Sequence, residues 1–434
     1  MSLVRIDSLS IQSPKHTSRR KHGWDRFFPY YAGYPESFAR TLLESAKLSD
    51  GAVVFDPWNG SGTTTFAASQ LGLFSCGFDL NPVMVIIARA RLLPPSEADS
   101  LDPLARNVVK ALQVDPQLVE QGDPLLWWFD RSSACLIRSL EHRIRELVVG
   151  GRTITFYDVK LENISGIAAT FYVALFLVCR RLGASYQSSN PTWLRRPSGE
   201  ERISVSRDVL VSAFTDILAE MAQALAIRAE SGQLEQANVD LYPADTTVTI
   251  LDEATIDMVL TSPPYCTRID YAAATRIELA VLYPLARLKM EDLGRCMMGS
   301  TRVPQHSINI SDKWGTTCLK FLTNLRAHRS KASDGYYFRT HLDYFDKMSR
   351  SLSNITHGLK RGGAAVLVLQ DSYYKDIHND LPSITAEMAA GEGLALRRRE
   401  DFHFNRSMAG INRKSQTYQR GIGVLEAVLC FEKS

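Results

Sequence analysis

The stretch Val53–Thr64, VVFDPWNGSGTT, decides how the rest of the chain is interpreted. The apolar run at 52–55 predicts a buried strand, and the alanine-rich segment at 64–71 predicts a helix. Gly60 and Gly62 stand between them. Glycine tolerates a tight turn, and a helix start presents free backbone N–H groups to a ligand. The stretch therefore predicts a ligand-binding turn at the carboxyl end of a strand, with a simple tight turn as the alternative.

The residues after the two glycines disfavour two common nucleotide-binding motifs. No Gly-Lys-Ser or Gly-Lys-Thr follows, so the turn is not a phosphate-binding P-loop. The third glycine of a dinucleotide fingerprint would fall at position 65, which is Thr65. A nicotinamide or flavin site is therefore disfavoured as well.

A second strand and helix follow the first pair. Residues Phe74–Phe78 predict a strand that ends at Asp79, and Asn81-Pro82 predicts the start of a helix. Asp79 lies 17 residues beyond Gly62, and a carboxylate at this place can accept both hydroxyls of a ribose. Capping of the following helix is the alternative role. The strand–helix alternation predicts an α/β fold with a parallel sheet.

The rest of the 434-residue chain divides into two further segments. A polar, proline-containing break follows residue 93, and the periodicity of residues 94–236 predicts a mostly helical insertion, a possible target-recognition region. Residues 237–434 return to the α/β pattern, with a long, mobile loop near 295–337. The clearest helices are predicted at Ser133–Val149, Ile164–Leu182 and Arg207–Glu230.

Composition limits the function classes. Hydrophobic residues make up 45% and charged residues 22% of the chain, as in ordinary globular proteins, and the net charge of +3 gives no global attraction to nucleic acid. Seven cysteines without a CxxC pair predict neither a disulfide framework nor a metal site, and they indicate a reducing cytoplasm. We expect no signal peptide, and we expect the 16-residue apolar run 164–179 to be a core helix, too short for a membrane span.

A rigid corner follows another predicted strand, Ile256–Leu260. The sequence Ser262-Pro263-Pro264-Tyr265 cannot continue a β ladder, because proline lacks the N–H donor.

Taken in order, the motifs DPWNGSGTT, GFDLNP, ADTT and TSPPY resemble the amino-methylating DNA methyltransferases that use S-adenosylmethionine. The resemblance covers residues 55–93 and 240–290 well and the C-terminal strands loosely. It implies a class I methyltransferase fold, Rossmann-like, with a seven-stranded sheet. The sheet would end in a reversed hairpin, here Leu394–Phe404 and Val424–Phe431.

The resemblance also implies a set of cofactor-binding residues. The glycine turn would wrap the methionine part of S-adenosylmethionine, Asp79 would hold the ribose hydroxyls, and Asp245 would face the adenine amine. The full set is Phe28, Pro29, Tyr30, Asp56, Pro57, Gly60, Ser61, Gly62, Thr63, Asp79 and Asp245.

The chemistry of the corner agrees with the resemblance. The exocyclic amine of cytosine is a poor nucleophile, since its lone pair is delocalised into the ring. A stiffly held carbonyl, here that of Pro263, can accept an amine hydrogen and free the lone pair for in-line attack on a methyl sulfonium. Ser262 adds a second polar group, and Tyr265 offers a flat face for a base flipped out of the duplex. The predicted catalytic residues are Ser262, Pro263, Pro264 and Tyr265.

Two further points of chemistry follow from the corner. Carbon methylation of cytosine needs a thiolate, typically from a Pro-Cys dipeptide, and Cys266 follows a tyrosine, so we expect Cys266 to pack. Family members that act on adenine usually carry Asp or Asn in place of Ser262, so the serine favours cytosine N4 over adenine N6. An RNA amine methyltransferase and a DNA-binding module with an inactive cofactor site are the competing functions.

Double-stranded DNA is the expected partner, together with a possible cognate restriction endonuclease, in the cytoplasm. Arginines in polar loops suit phosphate contact, with solvated loop residues as the alternative. Arg268 and Asp270, in TRIDY after the corner, could hold the flipped nucleotide or pair with each other. The candidate nucleic-acid-binding residues are Trp193, Arg195, Arg196, Arg268, Arg406, Arg413, Lys414 and Arg420, with Lys331, Tyr336, Tyr337 and Arg339 as further candidates.

Overall fold

Seven strands form the central sheet of the protein, in the order β3-β2-β1-β4-β5-β9-β8. The computed structural model describes residues 4–15, 23–28, 33–110, 112–150, 161–187, 194–230, 238–266, 270–286, 289–302, 306–404 and 424–434. The strands are β1 (Val53–Asp56), β2 (Phe74–Phe78), β3 (Val239–Tyr242), β4 (Ile256–Thr261), β5 (Leu359–Gln370), β6 (Ser372–Tyr374), β7 (Ile377–Asn379), β8 (Leu394–Phe404) and β9 (Val424–Lys433). Strands β6 and β7 form a separate hairpin.

The first five strands of the sheet are parallel, and β9 alone runs against the direction of the other six. Strand β9 pairs antiparallel with β5, and β8 pairs antiparallel with β9. The predicted class I methyltransferase sheet with a terminal reversed hairpin is therefore confirmed. Because the first four strands in space are parallel, their carboxyl ends lie along one edge of the sheet.

Helices cover both faces of the sheet. Along β1 and β5, Val54 and Val366 point to one face, where they pack with Phe38, whereas Phe55 and Leu367 pack on the other face. This alternation explains the continuous apolar runs, since a parallel strand is buried on both sides. The described helices are α1 (Glu36–Ala46), α2 (Thr63–Gln70), α3 (Pro82–Arg91), α4 (Ala98–Lys110), α5 (Arg131–Ile144), α6 (Gly166–Leu182), α7 (Arg207–Glu230), α8 (Tyr271–Ala274), α9 (Arg276–Leu282), α10 (Met290–Cys296), α11 (Thr316–Ala327), α12 (Phe338–Gly358) and α13 (Leu381–Gly391).

The predicted helical insertion consists of α4 to α7 and is not packed as a separate unit. Ile86 of α3, Leu140 of α5, Phe171 of α6, Leu218 of α7 and Val281 of α9 are all buried in one apolar cluster. The core of the insertion therefore continues into α3 and into α9.

Two apolar helices of this layer are core helices. The run predicted at 164–179 lies in α6, whose side chains are almost all buried. Helix α7 is the one described helix long and apolar enough to cross a membrane by length and composition. Its residues Leu210, Phe214 and Leu225 are fully buried against the neighbouring helices. This face of α7 therefore packs inside the protein, whereas Val209 and Ile227 on the same helix are exposed.

The segment after the corner forms two short helices, α8 and α9, which meet at Thr275. One prediction for the second half of the chain is wrong. The segment at 295–337, predicted to be irregular, contains α11. Its buried residues, Cys318, Phe321, Leu322 and Leu325, recur at helical spacing, a signal that the polar residues around them obscured.

A buried ion pair anchors the insertion to α9. Arg138 of α5, 1% exposed, donates two hydrogen bonds to the Asp123 carboxylate, with N–O distances of 2.7 and 2.9 Å. The same guanidinium donates to the carbonyls of Val281 at 2.7 Å and Ala280 at 2.5 Å. Four charge-assisted hydrogen bonds thus satisfy a charge that burial alone would strongly disfavour.

We expect Arg138→Met to destabilise the protein by about 3–5 kcal/mol, because it leaves the Asp123 carboxylate buried without its partner. The control is Arg106→Met, which removes an ion pair with Asp102 from a side chain that is 66% exposed, with an expected cost below about 1 kcal/mol. Urea denaturation measures both. Equal unfolding free energies for the two variants would contradict the structural role of Arg138.

Candidate active site

The turn after β1 depends on its two glycines. Gly60 and Gly62 have φ values of +51° and +79°, in the left-handed region that favours glycine. A Cβ on Gly62 would lie 2.8 Å from the Cβ of Ala88, so α3 can approach the turn only because Gly62 has no side chain. Helix α2 begins directly after it, at Thr63. The predicted strand–glycine turn–helix unit is confirmed.

Asn59 holds this turn against β2, a role that sequence reasoning missed. Its N–H donates to the Phe78 carbonyl at 2.9 Å, and its side-chain oxygen accepts a hydrogen bond from the Thr65 hydroxyl at 3.0 Å. The Asn59 side chain fills the space beside Gly77, where a Cβ would lie 2.5 Å from its Cγ. A glycine inside strand β2 was the signal for this close approach.

The carboxylate of Asp56 joins three elements. It accepts hydrogen bonds from the Thr64 hydroxyl of α2 at 2.5 Å, from the Thr261 hydroxyl of β4 at 2.6 Å and from the N–H of Trp58 at 3.1 Å. Burial raises the pKa of Asp56 to about 6, against the effect of these hydrogen bonds, which lower it. Most of the acceptor capacity of this 4% exposed side chain is therefore used inside the protein.

Asp79 lies at the end of β2 beside the glycine turn. Its two carboxylate oxygens accept hydrogen bonds from the N–H groups of Gly60 at 2.9 Å and Asn81 at 2.8 Å. Burial raises the pKa of Asp79 to about 7, although these two bonds lower it. The side chain is partly exposed, so a ligand can still reach the remaining lone pairs.

Asp245 lies three residues beyond the end of β3. Its carboxylate accepts a hydrogen bond from the N–H of Thr247 at 2.9 Å, which closes a tight turn. The neighbouring Thr246 hydroxyl donates to the Pro57 carbonyl at 2.6 Å and so ties this turn to the glycine turn. The predicted residues Asp245, Asp79 and Asp56 therefore follow three adjacent strands at one sheet edge, and the corner follows the fourth.

Two tyrosines hold the backbone of the corner at Ser262–Tyr265. The Tyr344 hydroxyl donates to the Pro264 carbonyl at 2.8 Å, and the Tyr265 N–H donates to the hydroxyl of Tyr271 at 3.0 Å. Gly299 packs so closely that a Cβ there would lie 2.7 Å from the Tyr265 carbonyl oxygen. In the part of the chain that the structure describes, no donor engages the Pro263 carbonyl. Pro263 is buried, and the hydrogen bonds of the two residues that follow it fix the backbone of the corner.

The ring of Tyr265 is half-buried beside two other polar groups. Burial raises the pKa of its phenol, as does the nearby carboxylate of Glu426, whereas the N–H of Gly33 lowers it. Burial also raises the pKa of Glu426 to about 7, and Lys15 lowers it. The Tyr265 phenol therefore stays neutral at physiological pH.

Cys266 packs in the core, as expected. It is 7% exposed and belongs to an apolar cluster that includes Met298 and Phe345.

The predicted cofactor-binding residue Phe28 is 1% exposed and packs against Trp24 at a ring-centroid distance of 5.3 Å, so its side chain faces the core.

Other predicted site residues cannot be compared with the structure. The predicted residues outside the described ranges are Pro29, Tyr30, Trp193, Arg268, Arg406, Arg413, Lys414 and Arg420.

The candidate nucleic-acid residues that the structure describes lie at the surface. The Arg196 guanidinium stacks 3.4 Å from the ring centroid of Trp127, in a short helix, Pro124–Trp127, that packs against α9. Arg195 stacks on Tyr186, at 5.1 Å. Arg196 therefore lies near α9, although the two are far apart in sequence.

The further candidates for nucleic-acid binding differ in their exposure and contacts. Lys331 and Arg339 are exposed, whereas the Tyr336 hydroxyl donates to the Thr301 carbonyl at 2.7 Å. Asp270 of TRIDY caps α8 by accepting a hydrogen bond from the N–H of Ala273, and it lies 3.8 Å from Arg276. Asp270 thus has a structural partner.

Comparison with known proteins agrees with this site. Residues 7–89, which include the glycine turn and Asp79, match the sequence model of the DNA methylase family N6_N4_Mtase. The type II methyltransferase M.BsoBI of Geobacillus stearothermophilus is 25% identical over 299 residues, 63% of this chain. The aligned region spans about half of that relative, 54% of its length.

A second relative aligns over most of both chains. The type II methyltransferase M.AvaI of Nostoc sp. is 20% identical over 407 residues, 88% of this chain and 81% of the relative, and M.AvaI of Anabaena variabilis gives the same values. The seven-stranded sheet and the Ser-Pro-Pro-Tyr corner agree with these matches. Together they support an amino-methylating DNA methyltransferase of the N4/N6 family.

Proposed function

We propose that this protein transfers a methyl group from S-adenosylmethionine to the exocyclic N4 amine of a flipped cytosine in double-stranded DNA. The observation that carries the proposal is the link between the glycine turn and the corner. The Thr64 hydroxyl of α2 and the Thr261 hydroxyl of β4 both donate to the Asp56 carboxylate. A cofactor held by the turn and an amine held by the corner would therefore meet at a fixed separation.

The residues of the sheet edge fit S-adenosylmethionine. Ribose hydroxyls need a carboxylate with free lone pairs, and the partly exposed Asp79 offers them. The glycine turn gives room for the methionine part, and Asp245 would accept a hydrogen bond from the adenine amine. When bound, the cofactor supplies a methyl group on a positively charged sulfonium. Carboxylates near a cation favour its binding.

The corner would make the amine a better nucleophile. The Pro263 carbonyl, held between a strand end and a second proline, would accept one amine hydrogen. The Ser262 hydroxyl would accept the other, and the half-buried Tyr265 ring would stack on the flipped base. No covalent bond to the protein is required, which agrees with the buried position of Cys266.

The serine supports cytosine as the target base. A hydroxyl accepts an amine hydrogen less strongly than a carboxylate does, and family members that act on adenine usually carry Asp or Asn at this position. The type II methyltransferase relatives further support a role in DNA methylation and restriction–modification. We further propose that the protein acts in the cytoplasm, and that a cognate restriction endonuclease is its possible partner.

The decisive test is transfer of labelled methyl groups from S-adenosylmethionine to genomic DNA and to RNA, followed by nucleoside analysis. We expect N4-methylcytosine in DNA. N6-methyladenine in DNA would identify adenine as the target base in place of cytosine, with the same methyl transfer to an exocyclic amine. Label found only in RNA would contradict a DNA substrate.

Two variants of neighbouring residues form a matched pair in this assay: Ser262→Ala is the test, and Cys266→Ala is its control. Ser262→Ala should lower kcat by about tenfold to a hundredfold, because one acceptor for the amine is lost. Cys266→Ala should keep wild-type turnover. Loss of all turnover in Cys266→Ala with intact cofactor binding would indicate a covalent thiolate mechanism instead.

Cofactor affinity should depend on pH through Asp79. Its pKa is raised to about 7, and only the ionised carboxylate accepts both ribose hydroxyls, so the cofactor Kd should rise about tenfold from pH 8 to pH 6. Asp79→Asn should weaken binding at pH 8 and remove this dependence, whereas the exposed control Asp50→Asn should behave as wild type. Calorimetry at several pH values measures both, and a wild-type Kd that is constant from pH 6 to 8 would contradict the role of Asp79.

A further inference from the structure

Helix α8, four residues long, follows the corner and depends on the insertion. Arg180 of α6 donates to the Glu278 carboxylate of α9 at 2.5 Å and to the carbonyl of Ala274 at 2.7 Å. Ala274 is the last residue of α8, so its carbonyl has no partner within the helix. A guanidinium at this end satisfies the carbonyl and interacts favourably with the helix dipole.

Tyr271, the first residue of α8, is one of the two tyrosines that hold the corner. Tyr271 accepts the hydrogen bond from the Tyr265 N–H at 3.0 Å. A single helical turn is not stable alone, because nucleation fixes several residues for one hydrogen bond. The direction of the Tyr271 side chain therefore depends on contacts made by the rest of α8.

The junction between α8 and α9 is also tied to the cofactor side of the site. The Asn81 side-chain amide donates to the Thr275 hydroxyl at 2.8 Å, and the Asn81 N–H donates to the Asp79 carboxylate. Arg180 contacts the same two helices, at Ala274 and Glu278. Contacts from the cofactor half and from the insertion thus converge on the segment behind the corner.

We propose that Arg180 is a positioning residue for methyl transfer, acting on the corner through Ala274 and Tyr271. This inference rests on the proposed function. By fixing α8, Arg180 keeps the Tyr271 hydroxyl on the Tyr265 N–H, and the corner backbone then holds the Pro263 carbonyl toward the target amine. Through Arg180, the inserted helices accordingly act on the geometry of the corner.

Arg180→Lys separates the contact with Glu278 from the contact with the Ala274 carbonyl. A lysine keeps the positive charge beside Glu278 but cannot bridge to the Ala274 carbonyl at the same time. We expect kcat to fall about tenfold or more, with KM for DNA and the cofactor Kd within about twofold of wild type. Arg181→Lys, the exposed neighbour in α6, is the matched control and should keep the wild-type kcat.

Glu278→Gln tests whether kcat depends on the negative charge of Glu278 or on the contact between Arg180 and the Ala274 carbonyl. Its amide oxygen can still accept from Arg180, and the contact with Ala274 remains, so kcat should fall less than in Arg180→Lys. A larger loss in Glu278→Gln than in Arg180→Lys would overturn the proposed path through Ala274.

A double-mutant cycle distinguishes positioning from general destabilisation. Tyr271→Phe removes the hydroxyl that accepts from the Tyr265 N–H, so Arg180→Lys should cause little further loss of kcat in that background. Additive losses, or an equal loss in Arg181→Lys, would overturn the inference. Absence of DNA methylation by the wild-type protein would refute the proposed function itself, whereas an active wild type with an unaffected Arg180→Lys variant would refute only the role of Arg180.

Discussion

The architecture of the site depends on one buried carboxylate and the two threonine hydroxyls that donate to it. Asp56 ends β1, Thr64 lies in the first turn of the helix after the glycine turn, and Thr261 ends the strand before the corner. Burial of a carboxylate is costly, and the raised pKa of Asp56 expresses that cost. The hydrogen bonds offset part of it, and in return they fix the turn and the corner relative to each other. A reaction between two bound molecules gains most from such a fixed geometry.

The helical insertion extends this constraint to the segment behind the corner. Its apolar core continues into α3 and α9, and Arg138 and Arg180 reach four backbone carbonyls or carboxylates on and around α9. A recognition module loosely joined to the catalytic part would not need such buried, charge-assisted contacts. The surface near Trp127 and Arg196 lies on this same layer, so contacts with DNA on that surface would act on a helix that also supports the corner.

Much of the fold and the outline of the site follow from the sequence alone, because short-range patterns encode them. Apolar runs, the glycine turn and the Pro-Pro corner predicted the parallel strands and the edge where Asp79 and Ser262 lie. Pairings between distant residues were not predictable: 205 residues separate Thr261 from Asp56, and Arg180 has the appearance of an ordinary helix arginine. Helix α11 was missed although its buried residues have helical spacing, since the surrounding sequence is polar and interrupted by glycine.

The most direct test of the central claim is a crystal structure of the protein with cytosine-containing DNA and a non-reactive analogue of S-adenosylmethionine. The account predicts a flipped cytosine whose amine donates to the Pro263 carbonyl and lies about 3–3.5 Å from the position of the transferred methyl group. It also predicts that the hydrogen bonds from Thr64 and Thr261 to Asp56 persist in the complex. A target amine bound away from Pro263, with the corner carbonyl turned elsewhere, would contradict the account.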